Sequence, residues 1–134
     1  MKHTICYVSK PQEGVTEEEI NSIFNITQTN NRAGGITGIL LYGFGNFFQV
    51  LEGEEKQIVK LFQTIKDDSR HHKIETLIDH HIEFPIFASY SSNFNVVKTK
   101  TDLASIKRYL DFFNAKTPFS DKITRLINPF LYAP

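Results

Sequence analysis

Apolar and polar residues follow two rhythms along this chain, and the switches between them mark its elements. Residues 3–9 alternate with a period of two: Ile5, Tyr7 and Ser9 fall on one face, Thr4, Cys6 and Val8 on the other, which predicts a strand. Pro11 and Gly14 place a loop next. Thr16 followed by Glu19 reads as a capping box, and from there the rhythm becomes helical, with Ile20, Ile23, Phe24 and Thr27 on one stripe. Continued at the same spacing, that stripe reaches Asn30 and Asn31. Amides in those places serve either as a C-terminal cap or as polar groups aimed into a pocket. Ala33-Gly34-Gly35 breaks the helix.

Residues 36–42 are nearly all apolar and predict a second strand, joined through Gly43-Phe44-Gly45 to a third, Asn46-Phe47-Phe48-Gln49-Val50-Leu51-Glu52-Gly53. Phe47, Gln49 and Leu51 share one face of that strand, and Phe48 and Val50 the other. Gln49 is the polar exception, and a buried amide left without partners costs about 1–3 kcal/mol. A second helix over 54–66 presents Ile58, Val59, Leu61, Phe62 and Ile65, and a polar loop follows over 67–73. A fourth strand is predicted over 74–83, although His80 and His81 interrupt it, and a fifth within 87–97. Two short helical patterns come last, at 102–114 and 120–127, with Asp102 and Ser120 as N-caps and Pro118 between them. The apolar tail at 129–134 calls for cover, against the open face of the sheet or against a partner.

This order predicts an α+β fold: a ferredoxin-like β-α-β-β-α-β-β sheet with two helices side by side on one face, plus two short C-terminal helices. The expected division is a domain over 1–98 and a helical extension over 99–134. The groove between the paired helices, above the sheet, is the natural ligand site.

Composition narrows the function. A chain of 134 residues suits one domain, and its fifteen basic and fifteen acidic residues cancel, which argues against a nucleic-acid or anionic-membrane surface. The third strand has aromatic residues but lacks the glycine-aromatic pattern and basic neighbours of a sheet that binds RNA. No run reaches membrane-spanning length and no signal-peptide layout opens the sequence; the single cysteine, Cys6, fits a reducing cytoplasm. The adjacent pairs His71-His72 and His80-His81 diverge on any regular element, and without HxxxH, HExxH or a cysteine pair no metal centre is expected. GxSxG and P-loop motifs are absent as well. Twelve Phe and five Tyr point either to an aromatic core or to a pocket for a flat ligand.

Tyr7, Asn31 and Gln49 remain. Tyr7 and Gln49 lie at the middle of the two strands that are central neighbours in a ferredoxin-like sheet. If both face the helices, phenol and amide meet beside Asn31. That contact is either a buried hydrogen bond that satisfies both groups or the heart of a site.

Four blocks then identify a resemblance. Cys6-Tyr7-Val8-Ser9, Asn30-Asn31-Arg32-Ala33-Gly34-Gly35-Ile36-Thr37-Gly38-Ile39-Leu40-Leu41-Tyr42, Phe47-Phe48-Gln49-Val50-Leu51-Glu52-Gly53 and Asp67-Asp68-Ser69-Arg70-His71 resemble, in order and spacing, the signature blocks of the BLUF family of FAD-binding blue-light sensors. The resemblance implies that Tyr7 gives an electron and a proton to the excited flavin, with Gln49 between that phenol and the ring. It implies that Asn31 holds the ring's polar edge with Asn30 nearby, and that Ile23 and Ile65 sandwich the ring. Thr27, Leu40 and Phe47 fall among the implied contacts, and Asp68, Arg70 and His71 near the ribityl-phosphate end. It further implies no turnover chemistry, a downstream effector protein as partner, and a homo-oligomer.

One departure stands out. The family's fifth strand usually carries a Trp and, two residues later, a Met that listens to the glutamine; here those positions read Tyr90 and Ser92. Signal relay through them is therefore expected to differ, and Ser92→Met is expected to change the rate of dark recovery, read as the return of the flavin spectrum after illumination. The competing readings are a ferredoxin-like binding or oligomerisation module that has lost light signalling, and an acylphosphatase-type enzyme, disfavoured because its arginine-containing phosphate loop is absent.

Overall fold

Alternating residues at the two ends of the chain's first half become the centre of a sheet. A computed structural model describes residues 1–43, 45–69, 71–88, 90, 94–111 and 118–128. In it, β1 (Lys2–Pro11) and β3 (Asn46–Glu54) pair antiparallel, which sets Tyr7 directly opposite Gln49. β2 (Thr37–Gly43) flanks β3, β4 (His71–His81) flanks β1, and β5 (Phe94–Val97) runs parallel to β2, giving the order β4-β1-β3-β2-β5. The first four of these reproduce the ferredoxin-like arrangement, with β5 added at the edge.

Helix α1 (Glu17–Ala33) opens with the expected capping box, Thr16 accepting from the Glu19 amide and Glu19 reaching back to Thr16. With α2 (Glu55–Asp67) it covers one face of the sheet, where Ile23, Phe24, Ile58 and Phe62 pack on Ile5, Leu40, Phe47 and Leu51. Helices α3 (Lys100–Asp111) and α4 (Pro118–Ile127) contribute to the core on the opposite face, where Leu103, Ile106, Leu110, Ile123 and Ile127 meet Cys6, Ile39, Phe48 and Val50. The sheet is thus sandwiched, and the cover expected from the tail at 129–134 falls outside the described residues.

Several boundaries move for physical reasons. β4 starts at His71 instead of 74 and ends at His81 instead of 83, because an edge strand keeps one side wet and needs no apolar alternation at its ends. β5 is only four residues, so Phe87 and Tyr90 precede it. Thr99, not Asp102, caps α3: its hydroxyl accepts from the Asp102 amide and its carbonyl from the Leu103 amide. Pro118 opens α4 instead of separating two helices, since a proline in the first turn gives up only an amide that the helix leaves unpaired.

β1 and β4 are also out of step at two places, between Cys6 and Tyr7 and between Val8 and Lys10. Cys6 faces Ile78 but Tyr7 faces Thr76, so Leu77 is the extra residue of a bulge. The Lys122 ammonium of α4 donates to the Leu77 carbonyl at 2.8 Å.

The segment between β4 and β5 is held by a carboxylate and not by a ladder. Glu52, wholly buried in β3, accepts from the Ile86 amide (2.6 Å), the Phe87 amide (2.9 Å) and the Thr37 hydroxyl (2.9 Å). The Tyr109 hydroxyl of α3 donates to the Ile86 carbonyl at 2.6 Å, and the Tyr109 ring packs on Tyr90 at 4.8 Å. Burial pushes the Glu52 carboxyl from its ordinary 4.5 up to about 6, outweighing the three donors that pull it down.

A carboxyl whose pKa rises on folding stabilises the fold in its protonated form. That contribution is full below the unfolded value and is lost as the pH climbs through the folded one. Wild-type stability is therefore expected to fall by about 2 kcal/mol between pH 4.5 and the region above pH 6, measured by urea unfolding across that window. Glu52→Gln turns an NH₂ toward one of the two backbone amides, at a cost of about 1–3 kcal/mol, but that cost does not vary with pH. The difference between wild type and variant should thus shrink as the pH rises, and a constant difference would refute the assignment.

Candidate functional site

The paired helices leave an open cleft between them, above the sheet. Its floor is the sheet: Tyr7 from β1, Gln49 from β3 and Leu40 from β2, with Leu40 opposite Gln49 in register. One wall is the α1 stripe that carries Ile23, Thr27, Asn30 and Asn31, and the other carries Ile65 from α2, with Asp68 at that helix's end. Ile26 and Leu61 complete the walls. Neither is among the residues that sequence reasoning assigned to the site. The available signal was spacing, since Ile26 follows Ile23 by three and Leu61 precedes Ile65 by four.

Five expected residues stand apart. Phe47 does not line the cleft; it is fully buried on the same face of the sheet, edge-on to Phe24 with ring centres 6.3 Å apart and beside Tyr42 at 5.0 Å. Arg70 and the His71 side chain lie outside the described residues, as does Ser92. Tyr90 is packed on the far side of the sheet from the cleft, in the cluster that α3 and α4 complete.

The polar groups of the floor form a short chain. Gln49 Nε2 lies 2.5 Å from Tyr7 Oη and donates to it, deep in the protein. Burial drives the Tyr7 phenol well above its ordinary pKa, with the Gln49 hydrogen bond opposing, so the hydroxyl stays protonated across the ordinary pH range. The ring is held by Phe62, 5.3 Å away centre to centre. Asn31 is 3% exposed and is not the helix cap, because Gly34 closes α1 with its amide bonded to the Asn30 and Arg32 carbonyls. Of the two sequence alternatives, the pocket-facing one holds.

Two atoms in this cleft find no hydrogen-bond partner among the described residues: Gln49 Oε1 and Asn31 Nδ2. A buried polar atom left so costs about 1–3 kcal/mol, which a ligand with complementary atoms removes. The cleft therefore suits a flat, largely apolar ring between Ile23 and Ile65 whose edge carries hydrogen-bonding groups. The carboxamide of Gln49 offers a donor or an acceptor at the same position, depending on which way it is turned.

Comparison with known proteins agrees with this geometry. The family described as "BLUF: Sensors of blue-light using FAD" matches residues 3–93. The "Blue light- and temperature-regulated antirepressor BluF" of Escherichia coli is 33% identical over 78 residues, which are 58% of this chain and 19% of that protein. "Photoactivated adenylate cyclase subunit alpha" of Euglena gracilis is 31% identical over 86 residues, 64% of this chain and 8% of the relative. The chain thus spans a small part of these relatives. Among solved structures, the BLUF domain of BlrP1 superposes with a TM-score of 0.76 at 27% identity, covering 98% of this chain and 90% of the other. A structure titled "Klebsiella pneumoniae BlrP1 with FMN and cyclic diGMP, no metal ions" also aligns, at a TM-score of 0.76 and 27% identity, covering 98% of this chain and 36% of that one. BlsA in its photo-activated state aligns over all of this chain and 97% of its own, with a TM-score of 0.70 and 26% identity.

Proposed function

Since the chain belongs to the BLUF family of blue-light sensors, we propose that it binds FAD between α1 and α2 and uses Tyr7 and Gln49 as its light-sensitive pair. The observation that carries this reading is the 2.5 Å Gln49–Tyr7 hydrogen bond beneath a cleft whose remaining amide atoms, Gln49 Oε1 and Asn31 Nδ2, lack partners in the protein. Bound FAD supplies the blue-absorbing ring and, when excited, an electron acceptor.

The residues do the rest. Ile23 and Ile65 flank the ring and exclude water, Asn31 Nδ2 donates to its polar edge, and Asn30, Thr27 and Leu40 fill the sides. Asp68 stands at the mouth, nearest the ribityl-phosphate end, where Arg70 and His71 follow in sequence. Tyr7 holds an oxidisable phenol and one mobile proton at Oη. When that proton leaves and returns, the Gln49 carboxamide is free to turn, exchanging Nε2 for Oε1 at the phenol. The charge is the same before and after, but every donor and acceptor at that point is reversed. Two hydrogen-bond patterns of nearly equal cost make a switch, which neighbouring elements then read.

The reader in this chain is the helical pair α3 and α4. β3, which carries Gln49, also carries Glu52, and through Ile86 and Phe87 it reaches Tyr109 of α3 and its neighbour Tyr90. Output goes to a separate effector protein, in the cytoplasm, from a homo-oligomer. Among the described residues no helix is long and apolar enough to cross a membrane.

The experiment is direct. Purified with FAD, the protein should be yellow, and its flavin absorption should move reversibly to longer wavelength under blue light. A colourless protein that refuses FAD would leave the lost-function binding module as the reading, and a yellow protein without the shift would remove the Tyr7–Gln49 switch.

A further inference from the structure

A second polar cluster lies at the other end of the same strand. His3 belongs to the β1 row of Ile5 and Tyr7, so it faces α2. The antiparallel pairing with β4 sets His81 opposite His3 and Asp79 opposite Ile5, so Asp79 lies diagonally beside His3. α2 begins with Glu55 directly after β3, whose Gly53 is His3's neighbour on the other side. Residues far apart in sequence thus converge at one end of the sheet.

One donor atom from each of His3, Glu55 and His81 lies within 4.8 Å of the others. His81 Nε2 is 3.6 Å from Glu55 Oε2, and the two imidazole rings meet edge to face with centres 5.0 Å apart. His3 is 6% exposed, and its Nε2 lies 2.5 Å from Asp79 Oδ1. With the ring proton on Nε2 and given to Asp79, Nδ1 keeps its lone pair. That nitrogen is buried and has no hydrogen-bond partner among the described residues.

We propose that His3, His81 and Glu55 bind a divalent transition cation of the zinc class. Two neutral imidazoles and one carboxylate are a donor set suited to zinc, cobalt or nickel, and too poor in oxygen for calcium. Ligand atoms about 2.0–2.1 Å from zinc at tetrahedral angles lie about 3.3 Å from one another, and the partly solvated side chains of His81 and Glu55 have the freedom to close the remaining gap. Asp79 is the positioning residue. A carboxylate that takes the remote N–H of a ligating imidazole fixes its tautomer and strengthens the other nitrogen as a donor. The Met1 thioether lies against His81 Nδ1, the ring nitrogen turned away from Glu55, so the fourth position falls to water. Bound there, the ion ties together the start of β1, the end of β4 and the start of α2.

The test is a calorimetric titration of zinc chloride alone into the untagged full chain at slightly alkaline pH, followed by thermal unfolding with and without zinc. Saturation at one ion per chain and a raised Tm are expected. His81→Ala, at an exposed position, and Glu55→Gln, at a half-buried one, should each weaken uptake at least about tenfold, and Asp79→Asn should weaken it about tenfold while removing no ligand. His80→Ala, which alters the adjacent imidazole on the opposite face of β4, should leave uptake unchanged. No saturable uptake, or uptake in His81→Ala equal to wild type, overturns the site; so does a loss in His80→Ala as large as that in His81→Ala, which marks adventitious surface binding.

Discussion

With the proposed FAD bound, Tyr7→Phe will keep the protein yellow and abolish the light-induced red shift. The substitution removes one atom and leaves the ring where it packs, against Phe62 at 5.3 Å, so the floor of the cleft keeps its shape and the proposed flavin its seat. What disappears is the hydroxyl 2.5 Å from Gln49 Nε2, and with it both the mobile proton and the group that tells one orientation of the carboxamide from the other. Gln49 Nε2 becomes a buried donor without a partner, so stability should also drop by about 1–3 kcal/mol. Difference absorption spectra before and after blue light decide the matter, with urea unfolding as the control for folding. A full red shift in this variant would mean that the hydrogen-bond change does not pass through Tyr7.

Gly38→Ala will be among the most damaging single substitutions in the sheet. Gly38 has φ +141°, a backbone conformation that only glycine adopts without strain, and a Cβ there would sit 1.9 Å from the Val50 carbonyl oxygen. The neighbour cannot retreat, because Val50 is held between Ile39 of β2 and Cys6 of β1 in the centre of the sheet. Backbone strain of about 1–3 kcal/mol and overpacking of about 1–3 kcal/mol add at one site. A loss of about 3–5 kcal/mol is expected, a large fraction of the stability of an ordinary domain, and is read from the urea midpoint. If the variant folds, β2 must shift, and Leu40 with it against Gln49, so flavin uptake should weaken too. A wild-type midpoint would show that the two strands part more easily than their pairing suggests.

The core of the site could be read from the sequence because it rests on local rules. The strand period put Tyr7 and Gln49 each on an identifiable face, the ferredoxin-like order made their strands neighbours, and the helical period carried Ile23, Thr27, Asn30 and Asn31 down one side. Those rules weaken wherever tertiary contacts replace ladders. The segment before β5 keeps an apolar pattern, yet Ile86 and Phe87 spend their amides on Glu52, so what reads as strand is an anchored irregular stretch. Nothing in the third block distinguishes Glu52 from an exposed strand-end acid, since two of its three donors come from residues more than thirty positions away. The resemblance implied Phe47 as a contact, but Phe24 and Tyr42 close over it first. His3 and His81 looked unremarkable because only the β1–β4 register brings them together.

The bulge at Leu77 bears on how such a sensor could be transplanted. The irregularity sits in β4 beside Tyr7, and the carbonyl it leaves over is neutralised by Lys122, a residue of the last described helix. The same helix buries Ile123 and Ile127 against the sheet. A fusion that borrowed only the strands and first two helices would carry the proposed photoactive pair but bare one whole side of its sheet and free the kink next to its tyrosine. The portable unit for an engineered light switch is therefore the sheet together with its terminal helices, joined to a new output beyond α4.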